Sequence, residues 1–169
     1  MDVAYFRMLL GYNCWANAKI LDRAVEASGA DYFARRAGLS YGNLHGTLLH
    51  LIGSDWLWLQ RWQGSSAGRV PESERPTLAS LLELRSANEA AQQAYFDRLT
   101  NAELNETNTY GFPDGRTITS PRGYQMAHWV NHATQYRSEA AVRLTELDLS
   151  PGGLDLMVYL TEAGTETLR

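Results

Sequence analysis

The sequence predicts an all-α fold: a four-helix bundle with a long connection between its third and fourth helices. Three observations predict it. Apolar side chains recur at helical spacing through four long segments. Helix-start and helix-stop residues bracket those segments. The main break in the pattern, residues 101–120, falls between the third segment and the fourth.

The first helix is expected over 2–28. Phe6, Leu9, Leu10, Asn13, Ala16, Asn17, Ile20, Leu21 and Ala24 form its inward stripe, and Gly29 suits the position just past its end. Two amides, Asn13 and Asn17, sit inside that stripe and must find partners if buried, at a cost of ~1–3 kcal/mol otherwise. The second helix is expected over 41–63, ending near Gly64. Its apolar arc is wide, with Leu44, Leu48, Leu51, Ile52, Trp56, Trp58 and Trp62, which suggests core on one side and a partner on another. Asp55 lies on that arc, so it is paired or beside a cavity.

Residues 64–76 read as a loop. Thr77 caps a third helix that runs to about residue 99. In the break that follows, Pro113-Asp114-Gly115 is a turn signal flanked by Thr107–Phe112 and Arg116–Thr119, the pattern of a short β-hairpin. Ser120-Pro121 reads as cap and first residue of a fourth helix over 121–147. Pro151-Gly152-Gly153 forces a turn, and Leu154–Leu160 suits a last short helix.

The chain's 169 residues suit one domain, 1–169. Net charge is −4, and Lys19 is the only lysine, so the basic footprint of nucleic-acid binding is missing. No apolar run approaches the ~18 residues of a membrane span, and the first residues lack a secretory signal's basic start. Cys14 stands alone, which fits a reducing cytoplasm and an inert core thiol. The three tryptophans of the second helix suit packing.

The residues that carry chemistry are histidines. The chain has four, and His128 and His132 are one helical turn apart, on one face. Two such imidazoles can grip one metal ion. Tyr136 stands one turn further on. The bland reading of this arc, which also carries Asn131, Gln135 and Glu139, is a solvated surface face. The metal reading needs a ligand from another helix, and His50 is the candidate. His45 points about 140° away from it on the same helix.

Several segments together resemble a known family. They are Tyr12-Asn13-Cys14-Trp15-Ala16-Asn17, His45-Gly46-Thr47-Leu48-Leu49-His50-Leu51 through Asp55-Trp56-Leu57-Trp58-Leu59, Val130-Asn131-His132 through Tyr136-Arg137, and Pro151-Gly152-Gly153-Leu154-Asp155-Leu156. In this order they look like the DinB (damage-inducible B) family. The resemblance implies a DinB/YfiT-like four-helix bundle, often a homodimer, with a divalent metal, nickel or zinc, held by three histidines. By position, His50 matches the first ligand and His132 the second, while Tyr136 stands where the third histidine is expected. The Arg-Gly-Gln that usually follows is here Arg137-Ser138-Glu139, and His128 is an extra histidine one turn earlier.

Three outcomes follow for the metal: a site shifted to His50, His128 and His132, a site completed by Tyr136, or no metal at all. Phenols ionise near pH 10 in water, which makes Tyr136 the weak member. The function implied is metal-dependent chemistry on a small molecule, of the thiol-dependent transferase or hydrolase type. The alternative is a degenerate, metal-free bundle that serves as a small-ligand-binding or structural homodimer. Asp55, Asn13 and Asn17 are expected to support the site from behind or to line its pocket. The partners expected are a second copy and a small molecule or thiol, with neither nucleic acid nor membrane.

Overall fold

The computed structural model describes residues 2–27, 29–65, 67–112 and 114–164. Four long helices, α1 (Val3–Ala24), α3 (Leu44–Trp62), α4 (Leu78–Arg98) and α6 (Arg122–Glu146), form the bundle. Three short helices join or follow them: α2 (Gly29–Phe33), α5 (Asn101–Asn105) and α7 (Leu156–Glu162). The strands β1 (Thr107–Gly111) and β2 (Thr117–Pro121) make an antiparallel hairpin between α5 and α6.

Local chemistry explains the boundaries. The Asp2 carboxylate caps α1 by accepting from the Tyr5 amide, and the Asn43 side chain caps α3 through the Gly46 amide. Thr77 opens α4 with a capping box closed by Ser80, as expected. A second capping box, Thr100 with Glu103, starts α5 inside the segment expected to be non-helical. In the hairpin, Thr109 faces Thr119 with their hydroxyl oxygens 2.6 Å apart. Gly115 supplies the left-handed residue of the turn, φ +84°, while Pro113 lies outside the described residues.

Two expected boundaries are corrected. Gly29 does not close α1, which stops at Ala24; it begins α2. Ser120 does not cap the last long helix. It belongs to β2, its hydroxyl accepts from the Gln125 side chain, and Pro121 precedes α6 with no side-chain cap. The hairpin thus runs directly into α6, which fixes the two as one unit.

The core has two apolar halves. One holds Ile20, Leu21, Leu44, Leu48, Leu51 and Leu144, and the other holds Phe6, Leu10, Leu59, Phe96, Met126 and Trp129. The wide apolar arc of α3 is consumed inside the chain, by α6, α4, α2 and the hairpin. That arc therefore needs no partner to explain it. No helix among the described residues is long and apolar enough to cross a membrane.

A polar belt separates the two halves. Asp55 accepts from Trp129 Nε1 at 2.6 Å and from Asn17 Nδ2 at 3.0 Å. Arg137, only 2% exposed, donates to Asn13 Oδ1, to Asn17 Oδ1 and to Thr134 Oγ1, and lies over the Tyr12 ring. Both oxygens of the α1 amides and the Asn17 Nδ2 thus have partners, while Asn13 Nδ2 has none among the described residues. Burial pushes the Asp55 carboxyl up to about 6, against the pull of Trp129, Arg137 and Asn17. Each member satisfies another, so the belt ties α1, α3 and α6 in one register.

Candidate functional site

α3 and α6 pack side by side and bring His50 and His132 together on one flank of the bundle. His50 Nε2 lies 3.0 Å from His132 Nε2. Tyr136, one turn beyond His132, closes the group: its ring centroid is 4.3 Å from that of His50 and 4.6 Å from that of His132. Tyr41, from the loop before α3, stacks on His50 at 4.1 Å and 20°. Gly46 makes that stacking fit, since a methyl there would sit 2.7 Å from the Tyr41 carbonyl oxygen. Glu139 steadies the same loop by accepting from the amide and the hydroxyl of Ser40.

Both imidazoles are neutral at pH 7. Burial pushes His50 down to about 3, with His132 and Arg69 adding to the effect. Burial pushes His132 down to about 4, helped by His128 and Arg69. Neutral imidazole is the form that binds metal.

His128 is not part of the group in the same way. It is exposed, its ring meets Trp58 edge-on at 5.3 Å, and it stands 5.6 Å from the His132 ring. Among the described residues no three histidine, cysteine, aspartate or glutamate side chains gather as a ligand set. The arrangement seen is two imidazoles and a phenol. His45 is fully buried, with its Nδ1 3.0 Å from the Tyr32 hydroxyl, and serves the core. Cys14 is raised to about 12, mainly by burial and then by Glu89, so its thiol is inert at neutral pH.

The histidine pair passes a test of fit to a divalent ion. Two nitrogens bound to one tetrahedral zinc at ~2.0–2.1 Å lie roughly 3.3 Å apart. The observed 3.0 Å is close to that bite. One feature fits less well. His132 Nδ1 is buried and has no hydrogen-bond partner among the described residues, whereas metal-bound imidazoles usually donate that N–H.

Beside the pair opens a cleft of about 1060 Å³. His50, His128 and His132 line one part of it, and Trp58, Arg61, Arg69 and the hairpin residues Tyr110 and Phe112 line the rest. The hairpin is clamped to the bundle. Asn108 Nδ2 donates to the Arg61 carbonyl and to Gln125 Oε1, and Gln125 returns a bond to the Asn108 carbonyl.

A sequence profile of the DinB family matches residues 1–167. The chain belongs to the DinB family. No curated protein matches it. The fold expected of a DinB chain is the one described, a helical bundle with a short hairpin between helices. Of the positions that the resemblance implied as ligands, the structure joins His50 and His132 and sets Tyr136 against both. Asn13, Asn17 and Asp55, expected behind the site, instead form the interior belt, and no hydrogen bond of theirs reaches His50 or His132 among the described residues.

Sequence reasoning missed Tyr41, Arg61 and Arg69. Tyr41 carried a faint signal, an aromatic residue just ahead of the helix that bears His50. The arginines carried none, because their meeting depends on how the loop after α3 returns across that helix.

Proposed function

We propose that this DinB protein is an enzyme acting on a small molecule, with a divalent metal, nickel or zinc, held by His50, His132 and Tyr136 at the edge of the cleft. The observation that carries this reading is the Nε2-to-Nε2 approach of His50 and His132, 3.0 Å between two imidazoles from different helices. In a solvent-facing cleft, two neutral imidazoles gain little from one mutual hydrogen bond, about 0.5–1.5 kcal/mol. Convergence on a shared cation gives the same pairing a larger return.

Bound there, the metal would supply Lewis acidity to polarise a thiol, carbonyl or water. The chain's own side chains do the rest. Tyr41 holds the His50 ring by stacking, and Tyr136 bears edge-on against it. Trp58, Tyr110 and Phe112 give the cleft an aromatic side that excludes water from the bound molecule.

Calorimetric titration of the metal-stripped chain with nickel and with zinc tests this reading. One saturable site is expected, lost in His50→Ala and in His132→Ala. A chain that takes up neither metal, or variants that bind as well as the parent, would remove it. The unpartnered His132 Nδ1 favours a second reading, a metal-free bundle that binds a small ligand in the same cleft. Under that reading the two imidazoles share a proton and no metal binds.

A further inference from the structure

The cleft carries positive charge without a counter-ion among the described residues. The Arg61 guanidinium lies 4.3 Å from the Tyr110 ring centroid, 4.9 Å from that of Trp58 and 5.5 Å from that of Phe112. It makes no ion pair and no side-chain hydrogen bond among the described residues, and its Nε is buried without a partner. Arg69 lines the same cleft, and among the described residues its one side-chain hydrogen bond is a long 3.5 Å contact to the Tyr41 hydroxyl. Among the described residues that line the cleft, the one carboxylate is Asp114, which Arg116 already holds at 2.7 Å.

This is costly unless something uses it. Burial, with Arg69 adding and Tyr110 opposing, pushes Arg61 below its ordinary value. Aromatic faces hold a guanidinium flat and weakly hydrated, so its N–H groups remain available for a planar or tetrahedral oxyanion. The concentration of arginine here also runs against the chain's net charge of −4.

We propose that the two arginines of this cleft form an oxyanion anchor. Arg61, backed by Arg69, takes the carboxylate or phosphate of a small organic substrate whose apolar body lies against Trp58, Tyr110 and Phe112. The inference rests on the proposed function only in placing the reacting end of that substrate at His50 and His132. The anchor itself exists with or without metal.

Binding of phenylacetate, phenyl phosphate and neutral phenylacetamide is measured by calorimetry and ligand-observed NMR. The parent, Arg61→Gln and Arg69→Gln are compared, each metal-stripped and nickel-treated. A charged hydrogen bond contributes about 1.5–3 kcal/mol, so at least one anion should bind the parent about tenfold or more tighter than the amide. That preference should vanish in Arg61→Gln and shrink in Arg69→Gln, in both metal states. Which anion shows it separates a carboxylate site from a phosphate site.

Anions that bind no better than the amide, including no binding of any probe at millimolar concentration, would overturn the anchor. So would a preference that survives Arg61→Gln. Failure of the metal reading looks different: nickel does not bind, while the anion preference persists. If Arg61→Gln does not fold, Arg61→Lys keeps the charge and loses the fork. It must weaken the anions and spare the amide, and equal weakening of all three refutes the proposal.

Discussion

Replacing Tyr136 by phenylalanine isolates the one proposed ligand position that departs from the three histidines the resemblance implies. The ring keeps its place, 4.3 Å from His50 and 4.6 Å from His132, so packing changes little. Only the hydroxyl is lost. What goes with it is only a weak electrostatic interaction with the nearby Tyr41 hydroxyl. A structural zinc site provides about 10–16 kcal/mol over four ligands, or roughly 2.5–4 kcal/mol for each. If the phenol oxygen is a ligand, Tyr136→Phe should therefore weaken nickel or zinc about a hundredfold. Tyr136→His, which has no phenolic proton to lose, should strengthen it. The assay is competition of each variant against a chromophoric chelator, with circular dichroism as a check on folding. Tyr136→Phe equal to the parent would refute Tyr136 as a ligand, and Tyr136→His equal to both would mean that the three positions do not converge.

Other outcomes follow from the same contacts. Asp55 has a folded value of about 6 against an ordinary 3.8, so the folded state binds its proton first; stability from this residue is fully present below 3.8 and is lost as pH rises through 6. The change is on the order of 3 kcal/mol, and denaturant midpoints should fall over that window in the parent and stay flat in Asp55→Asn. Asp55→Ala leaves Trp129 Nε1 and Arg137 short of their acceptor and counter-charge, and should cost about 3–5 kcal/mol in urea unfolding. Gly46→Ala forces the Tyr41 backbone away from α3; thermal melts should show a loss of about 1–3 kcal/mol, and the Tyr41 ring should leave His50 in nuclear Overhauser spectra. A homodimer remains our proposal from the DinB resemblance, with exposed Tyr5, Tyr124 and Met157 as apolar surface for it; light scattering at micromolar concentration should give twice the chain mass, and a monomer would remove the proposal.

The long helices were legible because period and caps agree. Thr77 and the stripe of α4 point to the same boundary. Ser120-Pro121 misled because Ser120 is taken up in the hairpin, and the first amide of α6, that of Arg122, donates to the Glu106 carbonyl instead of to a side-chain cap. The apolar arc of α3 was read as half core and half partner. A central helix touched by three other helices and a hairpin has the same sequence signature. At the site, spacing supplied the His128–His132 face, and the family resemblance supplied His50. Spacing could not tell that His128 would turn toward Trp58, because neighbours on one helix face diverge once each meets a different packing partner. The belt of Asn17, Asp55 and Arg137 was half legible: the amides and the acid looked wrong for an apolar stripe, but the cation that joins them lies 120 residues away from Asn17 in sequence.

We propose that His50 and His132 hold a divalent metal between them. Crystals grown from tag-free protein and soaked in nickel or zinc, with an anomalous difference map at the metal edge, test it most directly. A peak is expected within bonding distance of both Nε2 atoms, with the Tyr136 hydroxyl turned toward it. A map with no peak there, and with the imidazoles still in direct nitrogen-to-nitrogen contact in the presence of metal, would contradict it.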